Sequence, residues 1–141
     1  MIEAQWSHFP HSADIGVRGE GPSLAAAFEQ AALALFSAMT DLRTVASRDR
    51  VTISCVAPNH ALLFLDWLNA LIFEATTRKM LFSRFSVAFA EHDRLEGYAW
   101  GEPIDLKKHG IAVEPKGATF TELRVGAAPD GGWYAQCVVD V

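Results

Sequence analysis

The order of the hydrophobic patterns is the feature that most constrains the fold. A short alternating segment comes first, and two segments with helical periodicity follow, with an alternating run between them; four further alternating segments then succeed one another. A doubly wound parallel sheet needs a helix between successive strands, whereas consecutive strands joined by turns form an antiparallel sheet. The sequence therefore predicts an α+β fold, a largely antiparallel sheet packed on two main helices, in one compact domain spanning residues 1–141.

Both predicted helices have recognisable starts. Ser23 precedes an apolar stripe with three- and four-residue spacing, which predicts a helix over about 24–39. Asn59 precedes a second helical pattern over about 60–77, where apolar residues cover most of the circumference. We expect this second helix to be buried on more than one side.

The remaining apolar alternation predicts strands. They cover about 15–18, 50–57, 85–89, 94–100, 118–125 and 133–141, with hairpin turns predicted at His92–Asp93 and Pro129–Gly132. The segment from Gly101 to Pro115 has no periodic pattern and carries three acids, two lysines and a histidine. Loops of this length are commonly functional.

Charge and composition restrict the function classes. The formal net charge is −5, so the chain as a whole should repel polyanions, which argues against direct binding of nucleic acid unless the basic residues are segregated. In the sequence they are scattered, as Arg48 and Arg50, Arg78 and Lys79, and Lys107 and Lys108. Direct nucleic-acid binding is therefore not expected.

The cysteines and the apolar runs indicate a cytoplasmic domain. Cys55 and Cys137 lie in alternating, strand-like runs, which favours buried reduced thiols over a disulfide. The N-terminal residues lack the basic and apolar regions of a signal peptide. No apolar stretch reaches the ~18 residues that a membrane-spanning helix needs.

Three aspartates stand at element boundaries. Asp14 opens the first predicted strand, Asp41 follows the first helix, and Asp140 interrupts the apolar run QCVVDV. A desolvated carboxylate needs a partner, and converging carboxylates suit a hard divalent cation. The alternative is local structure: Asp14 could accept from turn amides, Asp41 could end a helix, and Asp140 could be an exposed chain end.

Two further residues are candidates for a functional site. His11 lies in the turn-like segment HSADIG, and Lys116 follows the long loop, two residues after Glu114. The alternative for His11 is a hydrogen-bonded turn histidine, and the alternative for Lys116 is a solvated surface lysine. The sequence has no nucleophile elbow, phosphate-binding glycine loop or dinucleotide fingerprint, and its cysteines and histidines lack zinc-ligand spacing.

An ordered set of motifs gives the chain a family resemblance. The segments are HSADIG, AFEQAALALFSAMTD, LLFLDWLNALIFEA, GEPID followed by KH, PKGATFTEL and the terminal VVDV. From about His8 to Val141 the chain resembles the archease family, with the motifs in the family's order. It departs from the family pattern at Pro115, Gly117 and Thr121.

The resemblance implies a compact α+β domain and a specific role. Archeases are accessory proteins of the RtcB-type RNA-splicing ligase, which joins RNA ends bearing a 2′,3′-cyclic phosphate or 3′-phosphate to a 5′-hydroxyl in tRNA splicing and RNA repair. They promote GTP-dependent guanylylation of the ligase and restore its multiple turnover. The resemblance thus implies an activator, not an enzyme, that meets GTP and RNA through the ligase.

The same resemblance assigns roles to individual residues. Asp14, Asp41 and Asp140 match the acidic positions of the family's divalent-metal site, where calcium is found in structures. Lys116 and His11 become candidate contacts to the ligase or its nucleotide. Two alternatives stay open: a stand-alone metal-dependent phosphoester hydrolase, and a chaperone-like binding module whose acids only stabilise the fold.

Overall fold

The computed structural model of the protein describes residues 2–91 and 94–141. Two α-helices, α1 (Leu24–Met39) and α2 (His60–Arg78), accompany a short 3₁₀ helix, Leu42–Thr44. The strands are β1 (Gln5–His11), β2 (Asp14–Gly21), β3 (Asp49–Val56), β4 (Met80–Ala90), β5 (Arg94–Pro103), β6 (Gly117–Ala118), β7 (Arg124–Ala127) and β8 (Trp133–Asp140). Within the described residues, neither helix has the length and apolarity that crossing a bilayer requires.

The strands form two antiparallel sheets. The larger sheet has the order β1-β2-β8-β6, and β7 also pairs with β8; the smaller sheet has the order β3-β5-β4. Every pairing between these strands is antiparallel. The predicted α+β class with antiparallel pairing and two main helices is confirmed, and the chain forms a single compact domain.

The two helices lie between the sheets. α1 contacts β1, β2 and β8 of the larger sheet and β4 of the smaller one, and α2 contacts strands of both sheets. Trp67 of α2 is fully buried, and its indole Nε1 donates to the main-chain oxygen of Phe28 at 3.1 Å. The core therefore occupies the layer between the sheets, as the all-round apolar pattern of α2 predicted, and each sheet keeps an outer face.

Local capping fixes the helix starts. The Ser23 hydroxyl accepts from the amide of Ala26 at 3.1 Å, and the Asn59 side chain accepts from the amide of Leu62 at 2.9 Å, so the first turns have partners for their free amides. Both predicted caps are confirmed. α2 ends at Lys79, whose φ of 55° places it in the left-handed region.

Close approach of α1 to the larger sheet depends on Gly19 of β2. A Cβ at this position would overlap the main chain of α1 at Ala27 and Ala31. Glycine is therefore required here by space, because only a bare Cα lets the helix backbone lie against the strand.

Two strand predictions were wrong. β1 was missed because its residues Gln5–His11 are mostly exposed and mix aromatic and polar types without apolar alternation. The strand predicted over 118–125 is broken into β6 and β7, since residues 119–123 leave the ladder and Glu122 has a φ of 53°. The predicted turn at His92–Asp93 lies outside the described residues.

Candidate functional site

The pairing of β2 with β8 brings Asp14 next to Asp140. The register places Ile15 opposite Val139, so its continuation sets Asp14 opposite Asp140 at the same end of the larger sheet. Directly opposed residues of an antiparallel pair point to the same face. The amide of Val141 donates to Asp14 Oδ1 at 3.3 Å, which ties the last residues of the sequence to the first hairpin.

His11 extends this row across the β1–β2 hairpin. It is the register partner of Asp14, and the turn between the strands contains Ser12 with a φ of 53°. The Nδ1 atom of His11 is buried and has no hydrogen-bond partner among the described residues. His11, Asp14 and Asp140 therefore occupy one row of the sheet.

Lys116 lies beside the same row. Its amide donates to the main-chain oxygen of Asp140 at 2.8 Å, and Gly117 is the register partner of Asp140. The Asn69 side chain of α2 accepts from the Ala118 amide at 2.8 Å and donates to the Ala118 oxygen at 3.3 Å. The short strand β6 is thus held between β8 and α2, and the main chain of Lys116 lies next to that of Asp140.

A hollow of about 330 Å³ adjoins Lys116. Its walls include apolar side chains of α1, β4 and the long loop, and Lys79, Glu114 and Lys116 supply the polar lining. This volume lies at the small end of the range for ligand pockets. The lining therefore combines mostly apolar side chains and Thr76 with two lysines and one carboxylate.

The long loop, residues 104–116, is fastened by a buried His109, which is 1% exposed. Its Nδ1 accepts from the amide of Asp105 at 3.0 Å, so the proton of the neutral ring is on Nε2. Nε2 lies 3.0 Å from Glu102 Oε2 and 3.1 Å from the main-chain oxygen of Thr44. The imidazole therefore joins the loop to the end of β5 and to the 3₁₀ helix.

Glu102 is the acceptor at the centre of this contact. Its Oε2 also accepts from Lys108 Nζ at 2.7 Å and from the Ala46 amide at 2.8 Å. These hydrogen bonds, that from Lys108 first, lower the pKa of Glu102 to about 2. Sequence reasoning missed the pair of Glu102 and His109; the only signal was a histidine inside an otherwise irregular charged loop.

Asp41 lies apart from the acidic pair. Its carboxylate caps the 3₁₀ helix by accepting from the Arg43 amide at 3.0 Å, and it pairs with the Arg43 guanidinium at 2.8 Å. The Arg43 side chain lowers the pKa of Asp41. Asp41 and Asp14 line different hollows. Across the part of the chain that the structure describes, no three or more His, Cys, Asp or Glu side chains lie close enough together to hold a cation.

The thiols are placed as the sequence predicted. Cys55 and Cys137 are buried and form no disulfide within residues 2–91 and 94–141. Burial raises the pKa of Cys55 to about 11 and that of Cys137 to about 12, so both stay protonated near neutral pH. Nucleophilic thiol chemistry is therefore not favoured.

Comparison with known proteins establishes the family. A model of the Archease protein family matches residues 6–141. This chain belongs to the archease family. It is similar to protein archease of Pyrococcus furiosus, with 34% identity over 97% of this chain and 99% of that one. It is also similar to protein archease of Thermococcus gammatolerans, with 35% identity over the same shares of the two chains.

Solved structures agree with the archease fold. The solution structure of protein 1598 of Methanobacterium thermoautotrophicum superposes with a TM-score of 0.79 at 35% identity, covering 96% of this chain and 98% of that chain. The crystal structure of an archease, described as a possible chaperone, from Thermotoga maritima gives a TM-score of 0.62 at 17% identity over 94% of each chain. The second likeness concerns the fold alone. The resemblance read from the archease motifs is confirmed.

Proposed function

We propose that this archease is a cytoplasmic accessory protein of an RtcB-type RNA-splicing ligase that promotes GTP-dependent guanylylation of the ligase. In this role it is an activator that carries a divalent cation, and it has no turnover of its own. The observation that carries the proposal is the placement of Asp14 and Asp140 at the same end of the larger sheet, beside the main chain of Lys116, on a chain of the archease family.

The donor set supports a hard divalent cation such as calcium. Asp14 and Asp140 offer carboxylate oxygens, the type of ligand that Ca²⁺ and Mg²⁺ take. Two side chains supply fewer than the six to eight oxygens that Ca²⁺ binds, so the remaining ligands come from water or from the ligase. Such an incompletely coordinated site suits an interface, where the partner completes it.

Each residue of the site has a chemical task in the proposed function. A divalent ion supplies charge neutralisation for a triphosphate during nucleotidyl transfer. Asp14 and Asp140 supply carboxylate ligands to the cation, Lys116 offers an ammonium group to a phosphate oxygen, and the partly exposed residue His11 contacts the partner. The fastening of the long loop by Glu102 keeps the chain leading to Lys116 in place.

Asp41 has the weakest geometric support among the three predicted ligands. Arg43 already pairs with its carboxylate, and recruitment to the cation would require that ion pair to break. We therefore place Asp14 and Asp140 at the centre of the proposed site and treat Asp41 as a comparison position.

Multiple-turnover RNA ligation by the cognate ligase tests the proposal. We expect the wild-type protein to raise the number of turnovers, and Asp14→Asn or Asp140→Asn to lower that stimulation by about tenfold or more. Asp66→Asn, a matched exchange on the exposed side of α2, should stimulate like the wild type. Equal stimulation by all variants would overturn the site assignment, and no stimulation by the wild type would overturn the function.

Two further measurements distinguish this proposal from the alternatives, a stand-alone hydrolase and a chaperone-like binding module. Phosphoester turnover by the purified protein without ligase would favour the hydrolase. A lower melting temperature after chelation, with ligation unaffected, would favour acids that only stabilise the fold, because a cation bound only by the native state stabilises it by mass action.

A further inference from the structure

The outer face of the smaller sheet carries two aromatic side chains in its central strand. Tyr98 and Trp100 of β5 have ring centroids 5.8 Å apart, with the ring planes tilted by 50°. Tyr98 is 37% exposed, and Trp100 is half-buried. The alternate residues of β5, Leu95 and Ala99, are fully buried against the core. The two rings therefore lie on the face that points away from the helices.

Two arginines flank these rings from the neighbouring strands. Arg50 of β3 and Arg84 of β4 are both register partners of Trp100, so they share its face. The guanidinium of Arg50 lies 4.6 Å from the centroid of the Tyr98 ring, and that of Arg84 lies 4.4 Å from the Trp100 ring. Three strands thus place two stacked cation–aromatic pairs side by side.

Neither arginine has an anionic partner in the described part of the chain. The acids of β5 already have other partners. The Glu96 carboxylate accepts from the Ser54 hydroxyl and lies 3.9 Å from Arg94. The Glu102 carboxylate accepts from Lys108 and the Ala46 amide. Arg50 and Arg84 are exposed and form no ion pair with any described residue. Two positive charges therefore face solvent on a surface that also offers aromatic rings.

Hydroxyl groups complete this surface. Thr52 of β3 and Ser86 of β4 are the register partners of Tyr98, so hydroxyls lie on both sides of its ring. We call the six side chains of Arg50, Thr52, Arg84, Ser86, Tyr98 and Trp100 the sheet platform. Exposed rings and guanidinium planes stack on unpaired bases, cations bind phosphates, and hydroxyls can bond a 2′-hydroxyl.

The larger sheet provides an internal comparison. Arg18 lies 4.4 Å from the centroid of the Tyr134 ring on its outer face, a contact of the same type. There, however, Arg18 pairs with Glu20 at 2.7 Å and donates to the Gln136 side chain at 2.7 Å. Its charge and its donors are already used within the fold. Of the two outer faces, as far as residues 2–91 and 94–141 show them, that of the smaller sheet leaves both for a ligand.

We propose that the sheet platform binds single-stranded RNA, with bases stacked on the Tyr98 and Trp100 rings or the guanidinium planes over them and phosphates held by Arg50 and Arg84. The choice of RNA over DNA rests on the proposed function in RNA ligation. This direct contact differs from the expectation that RNA is met only through the ligase. Arg50 and Arg84 are far apart in the sequence, and strand pairing places them on one face of the smaller sheet.

The charge of the chain limits the strength of this binding. With a net charge of −5, long-range attraction of RNA is weak, so stacking and two local phosphate contacts must supply the affinity. For two such contacts to a single strand, the logarithm of the binding constant should fall with the logarithm of salt concentration with a slope of about −1.4.

Fluorescence anisotropy with a labelled, unstructured RNA oligonucleotide of about eight nucleotides tests the proposal on the intact protein without ligase. We expect the wild type to bind, and both Tyr98→Ala and the double variant Arg50→Gln/Arg84→Gln to bind about tenfold or more weakly. Arg18→Gln and Tyr134→Ala repeat the same exchanges on the larger sheet and should bind like the wild type. The platform variants change exposed side chains, and circular dichroism checks their folding.

Three results would overturn the proposal. They are absence of wild-type binding, equal loss in the platform and Arg18 or Tyr134 variants, and equal affinity for a DNA oligonucleotide of the same sequence. Guanylylation of the ligase without RNA tests the proposed function separately. The two tests are independent. RNA can bind to the platform even if guanylylation does not depend on Asp14 and Asp140, and guanylylation can depend on them even if the platform binds no RNA.

Discussion

The two sheets of this archease are built alike but differ in which charges have partners. Both are antiparallel, both contact α1 and α2, and both carry an arginine over an aromatic ring on their outer face. On the larger sheet Arg18 pairs with Glu20, and the carboxylates of Asp14 and Asp140 lie at one end of the sheet. On the smaller sheet, Arg50 and Arg84 have no acidic partner among the described residues. Similar backbone pairing thus supports two different proposals, a cation-binding edge in the larger sheet and an RNA-binding face in the smaller one.

The largest expected loss of stability is at the contact between the larger sheet and α1. Gly19→Ala places a methyl group against the main chain of the helix, which cannot rotate away, so we expect a loss of about 3 kcal/mol in the free energy of unfolding. Urea denaturation measures it. Gly126→Ala on β7, where the added methyl would meet only the Tyr134 side chain at 3.9 Å, is the control and should change little.

Glu102, which fastens the long loop, should make the stability of the protein depend on pH. The pKa of Glu102 is lowered from 4.5 to about 2, so its contribution to stability is present above pH 4.5 and is lost as the pH falls from 4.5 towards 2. Glu102→Gln should melt at a lower temperature at neutral pH and lose less on acidification than the wild type does. Parallel melting curves of the two proteins, offset by a constant amount between pH 7 and pH 2, would contradict this.

The acids predicted as cation ligands should differ in their effect on cation binding. By calorimetric titration with Ca²⁺, Asp140→Asn should weaken binding by about tenfold or more, because the proposed site loses one of two charged ligands. Asp41→Asn should weaken it far less, since Arg43 already pairs with that carboxylate. Equal losses at the two positions would restore the site of three acids that the resemblance predicted.

The smallest expected changes in stability are those at Arg18 and Arg50, the arginines that lie over aromatic rings on the two sheets. Arg18→Gln removes a partly buried ion pair and should lower the free energy of unfolding by about 1 kcal/mol. Arg50→Gln removes an exposed arginine without an acid partner and should stay within about 0.5 kcal/mol of the wild type. A larger loss at Arg50 would mean that its charge serves the fold instead of a ligand.

Sequence patterns predicted the helices more accurately than the strands. Ser23 and Asn59 mark the helix starts because a cap bonds to amides within three residues, so the signal is local. β1 gave no comparable signal, because an edge strand with a mostly exposed face needs no apolar alternation. The break after β6 depends on how residues 119–123 meet β8, which is not visible in their own pattern.

The sequence by itself determined the fold class, the two helices, the buried thiols and, through its ordered motifs, membership of the archease family. Only the tertiary structure decided that Asp14 and Asp140 lie at the same end of the larger sheet, that Asp41 pairs with Arg43, and that Arg50 and Arg84 share one face. The physical reason is range. Caps and periodicity act between residues a few positions apart, whereas the pairing of β2 with β8 and of β3 with β5 joins segments far apart in the chain.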